Sequence, residues 1–352
     1  MRTAYLNGIT TALPPFQVSQ SDVRDLVHAL FEQDYKGLHR LMPVFENTNI
    51  RRRYFSKPLE WFREQSSFVE SSTAFVETAI GLLQSASTEL LEKTATQVED
   101  IGMVVAVSTT GITTPSLDGK LIQALGLPNS TKRIPIWGLG CAGGVAGVAR
   151  ASELVSMLPK GKKLLLTAVE LCSLTFQRND ISKSNIVASS LFADGAAALL
   201  LSNDSSAPES LQIIDSFSFL FDDSEDIMGW DIIETGLKVR FSRDIPTLIH
   251  ANLPQLLTDA CFAWGIERSD IRHFVVHAGG TKVLQAYSDS LHIPHEQLAT
   301  AHNILREHGN MSSVSVLFAL QSFLSETPPS GSLGVMMALG PGFSAEFVLF
   351  RY

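Results

Sequence analysis

Cys141, His277 and Asn310 have the residue types and local settings that acyl transfer needs. Cys141 stands in RIPIWGLGCAGGVAGVAR (133–150), where a strand-like run meets a glycine-rich, apolar, helix-like run. A helix N-terminus favours thiolate over thiol through its unpaired N–H groups and partial positive charge, so a low-pKa nucleophile fits this position. The competing reading is a buried structural thiol, because free cysteine is among the most buried residue types. His277 ends the apolar run IRHFVVH and precedes Ala278-Gly279-Gly280, so its ring can project from a strand's C-terminal edge where bare backbone lets a ligand approach. A histidine satisfied by turn backbone is its alternative. Asn310, in EHGNMSS, reads either as a helix N-cap after Gly309 or as a hydrogen-bond donor to a ligand. If the three converge, they supply an acylatable thiolate, a cation that stabilises it and two donors for an oxyanion.

The elements that must position them follow from hydrophobic period. IGMVVAVS (101–108), KKLLLTAVE (162–170) and IRHFVVH (271–277) are short apolar, β-branched runs of buried-strand character set between helical segments, which makes the class α/β. LFADGAAALLLS (191–202) and LGVMMALGPGFSAEFVLFRY (333–352) carry glycine within apolar runs and read as strand pairs or hairpins. The chain aligns with itself as helix, strand, a connecting region with a second helix, a small-residue helix and two closing strands. In the first half these pieces are 71–93, 101–108, 117–125, 141–158 and 162–202; in the second they are 247–264, 271–277, 281–306, 311–325 and 333–352. The repeat places Cys141 and Asn310 at corresponding points, each at the head of a helix of small residues. Glycines in the first of these helices each cost roughly 1 kcal/mol relative to alanine, so close helix–helix contact is expected there. The polar stretch SNDSSAPES (202–210) divides the halves, giving 1–205 with the cysteine and 206–352 with the histidine and asparagine.

Composition narrows the function classes. The 352 residues are 45% hydrophobic and 18% charged, enough for a large core and against disorder. A formal charge of −9 without a sustained basic stripe gives nucleic acid or an anionic membrane no footprint. The three cysteines, Cys141, Cys172 and Cys261, form no C-x-x-C pair, which argues against a disulfide scaffold or zinc ribbon and fits the cytoplasm. No apolar span of ~20 residues is present, so no stable membrane insertion is expected.

Taken together, IPIWGLGCAGG, ELCSLTFQ, SLFADGAAA, VVHAGG, GNMSS and ALGPGFSAE resemble, in order and over nearly the whole chain, the type III polyketide synthases of the chalcone/stilbene synthase superfamily. The resemblance implies a thiolase-like fold, two similar halves in a layered αβαβα arrangement. It implies that Cys141 holds the growing acyl chain as a thioester, and that His277 and Asn310 polarise the malonyl thioester carbonyl during decarboxylation and condensation. A prepositioned donor set suits this step, because losing CO2 from malonyl-CoA leaves a thioester enolate. Cys141 and His277 are expected to titrate as a coupled thiolate–imidazolium pair. The resemblance implies acyl-CoA and malonyl-CoA as substrates, with no metal and no cofactor expected.

The resemblance also implies a substrate-binding set. Phe192 matches the phenylalanine between active site and CoA tunnel, Cys172 and Thr175 fall in a pocket wall, and Gly279, Gly280 and Ser312 fall within the catalytic motifs. Thr114, in GITTPSLD, matches a position that reaches into a partner's cavity and so implies a homodimer. Val239 stands where chalcone synthase-like members carry a second gatekeeping phenylalanine, and Trp230 where plant members have a small glycine on the cavity floor. The pair reads either as ordinary repacking or as a re-routed cavity suited to a long aliphatic starter. The implied products are alkylpyrones or alkylresorcinols. Arg40 matches one basic position for the CoA phosphates, Pro43 and Asn47 replace two others, and the Arg51-Arg52-Arg53 run either compensates or is a solvated face. The rivals are a ketoacyl synthase III-like enzyme making one condensation with acyl carrier protein, a hydrolase, and an inert scaffold of the same fold.

Overall fold

In the computed structural model, residues 4–64, 66–204 and 211–352 are described, so the boundary at 205/206 lies outside the described residues. The first half opens with β1 (Ala4–Ala12), followed by an excursion through β2 (Phe16–Ser19), α1 (Gln20–Phe31), α2 (Val44–Asn47) and β3 (Arg52–Phe55). It continues through α3 (Phe68–Lys93), β4 (Ile101–Ser108), α4 (Leu117–Leu125) and β5 (Lys132–Trp137). It closes with α5 (Gly143–Val155), β6 (Lys163–Leu171), α6 (Lys183–Leu191) and β7 (Asp194–Ser202). The second half contains β8 (Leu211–Leu220), β9 (Met228–Ile233), β10 (Gly236–Phe241), α7 (Ile245–Trp264) and β11 (Ile271–Val276). Then come α8 (Thr281–Leu291), α9 (Ala299–His308), α10 (Ser315–Ser325), β12 (Leu333–Gly340) and β13 (Ser344–Arg351).

The strand order β11-β12-β13-β8-β1-β7-β6-β4-β5 is symmetric about the β8–β1 contact, with β5 as an extra edge. That contact spans three residue pairs, Ala4 to Leu6 against Leu211 to Ile213, and joins two half-sheets into one. Within a half-sheet the period-2 pattern sorts side chains onto two buried faces. Leu164, Leu166 and Ala168 of β6 face one cluster, whereas Leu165, Val169 and Leu171 face another, which contains α3. Helix α5 packs on β4 and β6 of its own half and on β12 and β13 of the other. It therefore lies between the half-sheets, with α3 and α7 outside, which is the αβαβα layering of a thiolase-like fold.

The central layer explains the glycines. A Cβ on Gly144 would sit 2.1 Å from the Ser313 carbonyl oxygen, so a side chain there would force α5 off the turn that precedes α10. One strand reading changes and one holds. LFADGAAALLLS is no hairpin: Gly195 lies inside β7, which pairs with β6 and β1, because every residue of the run is needed to cover both faces. LGVMMALGPGFSAEFVLFRY does fold back, as β12 and β13 around residues 341–343. The 281–306 segment is two helices, α8 and α9, parted where His292 takes φ +51° before Pro294.

Candidate active site

Cys141 sits in a 3-10 turn, Gly140–Ala142, that leads into α5. Gly140 has φ +48°, a left-handed conformation that favours glycine, and its N–H donates to Thr109 Oγ1 at 2.9 Å. His277 follows β11, its backbone N–H bound to the Met337 carbonyl at 2.9 Å. Asn310 precedes the 3-10 turn Ser312–Val314 at the head of α10. Its backbone N–H donates to the Leu191 carbonyl and its carbonyl accepts from Ala193 N–H, so the Phe192 segment of the first half grips it.

These three side chains line one cavity of about 420 Å³, together with Gly279, Gly280 and Tyr287. The convergence that the repeat predicts is therefore present. Asn310 does cap the next turn, since its Oδ1 accepts from Ser312 N–H at 2.8 Å. Its Nδ2 donates to the Gly279 carbonyl at 3.0 Å, which leaves a second amide hydrogen for a ligand. His277 is 3% exposed and neither ring nitrogen has a partner, so the histidine is not satisfied by turn backbone. Tyr287 is fully buried with an unpartnered hydroxyl in the same cavity.

The thiolate–imidazolium pair is not formed here. The Cys141 sulfur meets the Ser312 hydroxyl at 3.6 Å and no imidazole nitrogen. Burial pushes the Cys141 thiol up to about 12, with the Glu170 charge adding to the rise, and pushes His277 down to about 4. Each shift has the same cause: a lone charge is costly in this dry setting, and the helix N-terminus does not offset it.

Glu170 is the residue that sequence reasoning missed. It is fully buried at the end of β6, where its Oε2 accepts from Thr109 N–H, Thr110 N–H and the Thr110 hydroxyl, and its Oε1 from the Ser313 hydroxyl at 2.6 Å. Burial raises its carboxyl to about 7 despite these donors. Through Thr109 and Ser313 it ties the Cys141 turn to the Asn310 turn. The signal was available, as a charged residue inside the apolar run LLLTAVEL has to be buried with partners.

The pocket residues divide. Phe192, Cys172 and Val239 form one cluster, and with Thr175 they line a separate apolar cavity of about 40 Å³ that ends at Val23, Leu26 and Val27 of α1. Trp230 lines neither cavity: it pairs with Val239 across the β9–β10 ribbon and packs on Phe192 at 5.9 Å. Trp230 thus packs beside Val239 against Phe192, outside the floor expected for it. Thr114 is exposed beside Ile112 and away from its own chain's cavity. Arg40 is exposed outside the cavity lining. The arginine run lies outside the lining of the cavity that holds Cys141: Arg51 and Arg52 bind Glu307, and fully buried Arg53 donates to the Ser189 and Phe192 carbonyls. Among the described residues, no cluster suits a metal ion and no helix is long and apolar enough to cross a membrane.

Comparison with known proteins points one way. Residues 2–205 match the family described as chalcone and stilbene synthases, N-terminal domain, and residues 212–352 match its C-terminal domain. A Bacillus subtilis protein named after chalcone synthase is 40% identical over 99% of both chains. A 1,3,6,8-tetrahydroxynaphthalene synthase of Streptomyces peucetius is 34% identical, covering 98% of this chain and 92% of that one. The alpha-pyrone synthesis polyketide synthase-like Pks18 of Mycobacterium tuberculosis is 30% identical over 99% and 91%. Among solved structures, the tetrahydroxynaphthalene synthase of Streptomyces coelicolor, described as a bacterial type III polyketide synthase, superposes with a TM-score of 0.91 at 27% identity over 99% of both chains.

Proposed function

The chain belongs to the chalcone and stilbene synthase family and is a type III polyketide synthase, a transferase that condenses CoA thioesters; on that premise we propose that it extends long-chain acyl-CoA starters with malonyl-CoA to alkylpyrones or alkylresorcinols. The observation that supports this reading is a second, apolar cavity, lined by Phe192 and Val239 and separate from the one that holds Cys141. The larger cavity admits the CoA thioester to Cys141 past Leu41, Val44, Val187 and Ile249, and the smaller, a separate space of about 40 Å³ in the structure, lies between Val239 and α1 and is the space an acyl chain would open. A long acyl chain gains roughly 0.8 kcal/mol per buried CH2, so such space favours long starters over acetyl or aromatic ones. The name of one relative, which ties it to alpha-pyrone synthesis, supports the product class.

In this reading the Cys141 sulfur attacks the acyl-CoA carbonyl, its proton passes to His277, and CoA leaves as the thiol. Malonyl-CoA then loses CO2, and the enolate oxygen is held by N–H donors of His277 and Asn310. The enolate carbon attacks the Cys141-bound carbonyl and releases the cysteine sulfur. Neutral imidazole suits the donor role, since a buried imidazolium is costly. The reading needs no metal or redox cofactor. It takes the protein as a homodimer with Thr114 at the partner's cavity, which light scattering tests.

The deciding experiment measures kcat/KM across a ladder of acyl-CoA lengths, with products identified by mass, for the wild type and Val239→Phe. The wild type should prefer long chains, and the variant should shift toward shorter ones with Cys141 alkylation unchanged. A flat profile in the wild type, or product from malonyl-CoA alone, would remove the long-chain starter and point to a tetrahydroxynaphthalene-type reaction.

A further inference from the structure

Three helices begin at the mouth of the catalytic cavity, and each brings a cation. Lys183 is the first residue of α6, Arg243 directly precedes the N-cap of α7, and Lys282 is the second residue of α8. All three line the cavity that holds Cys141, His277 and Asn310.

This placement runs against local preference, because the positive end of the helix dipole favours acids in the first turn. Helices α1, α3 and α4 follow that preference with Asp22, Glu70 and Asp118, whereas the first turns of α6, α7 and α8 hold no acid, as in α5, α9 and α10, and only α6, α7 and α8 set a cation at the mouth of the catalytic cavity. Asp244, the N-cap of α7, makes no side-chain cap: its carboxylate accepts from the Ser242 hydroxyl, and its own N–H donates to that hydroxyl oxygen.

Neighbouring cations are neutralised in a way these are not. Lys238 pairs with Asp180, and Arg240 with Asp226 and Asp231, whereas Lys183, Arg243 and Lys282 are exposed and have no ion pair within 4.0 Å among the described residues. The cap of α8 is Gly280, which offers no side chain to the first amides of that helix. Deeper in the same cavity lies His277, buried with both ring nitrogens unpartnered, so one continuous space joins a rim short of negative charge to a floor short of hydrogen-bond partners. On a chain of net charge −9, an unpaired cationic rim marks a binding site for a multiply charged anion with an uncharged arm.

We infer that Lys183, Arg243 and Lys282 hold the phosphates of the CoA thioester, in place of Arg40 and the arginine run. This rests on the synthase reading above, with the nucleotide at the rim and the pantetheine arm running inward to Cys141.

The test uses single alanine variants and the triple variant of the three cations, with Lys238→Ala as a paired-cation control. Each single change should raise KM for malonyl-CoA about 5-fold with kcat little altered, and the triple on the order of 100-fold. The preference for malonyl-CoA over malonyl-pantetheine, which lacks the phosphates, should collapse in the triple variant, and the salt dependence of kcat/KM should flatten. Equal losses with both thioesters, an effect of Arg40→Ala that the triple lacks, or turnover only with a malonyl-acyl carrier protein would overturn the assignment. Binding of adenosine 3',5'-diphosphate to the Cys141→Ala protein, measured by calorimetry, separates the two readings. If that binding needs the three cations while wild type forms no polyketide, the synthase reading fails and the anion site stands.

Discussion

The turn carrying Cys141 and the turn carrying Asn310 occupy corresponding places in the two halves, yet they are held in opposite ways. Asn310 is fixed at both ends of its side-chain amide and at both backbone groups. The sulfur of Cys141 has one weak contact, to Ser312. On the proposed reading the duplicated scaffold is specialised: one copy clamps the donor that would have to stay in place, and the other leaves loose the atom that would form and break a bond. Glu170 keeps the two in register without touching either side chain.

The contrast breaks most severely at the sulfur. Cys141→Ala should lower polyketide formation by more than about 10³-fold, measured by product mass, because among the described residues no other thiol lines the cavity. Malonyl-CoA decarboxylation should persist in that variant, since the donor turn is intact, and undiminished polyketide output would dissolve the comparison.

Next in size is the donor. Asn310→Ala should lower decarboxylation by roughly 10²–10³-fold, the usual effect of deleting one oxyanion donor. Asn310→Asp keeps the acceptor for Ser312 N–H but has no amide donor, so it should lose as much. CO2 release at the wild-type rate from Asn310→Asp would reduce Asn310 to a helix cap.

The contact between the two turns can be strained by one methyl group. Gly144→Ala pushes against the Ser313 carbonyl and should cost about 2 kcal/mol of stability, as overpacking does. Gly81→Ala in α3, where no atom lies within 4 Å, should instead gain up to about 1 kcal/mol from helix propensity. Urea midpoints for the two variants read this directly, and equal shifts would mean that the turns do not touch as described.

The smallest expected change is in pH. Burial lowers His277 to about 4, so the ring is neutral through the range above about pH 5. In Cys141→Ala/Glu170→Gln, where neither the thiol nor the carboxyl that burial raises to about 7 can titrate, decarboxylation should be flat from about pH 5.5 to 7.5. An acid limb with a midpoint near the ordinary 6.5 of histidine would show that the imidazole is wetter than its burial implies.

Much of this was legible in the residues. Runs such as IGMVVAVS are strands because a parallel or central strand buried on both faces must be apolar throughout. The same uniformity hid the difference between one long strand and a hairpin at Gly195, because a fully apolar run carries no face marker. Helix 117–125 was legible because its period and its terminal Gly126 agree, whereas β8, the β9–β10 ribbon and the N-terminal excursion have mixed patterns that no local rule resolved.

By itself the sequence determined the class, the duplicated order of elements and the three side chains of the site, because period and turn chemistry are local and short motifs keep their order. Only the tertiary structure decided how those side chains are held and what faces the mouth of the cavity. Hydrogen bonds such as Asn310 to Gly279, the four donors on Glu170 and the pairing of Val239 with Trp230 join residues that the chain brings together only by folding. The ionisation of Cys141 and His277 follows from burial, and burial is a property of the packed layers rather than of either residue.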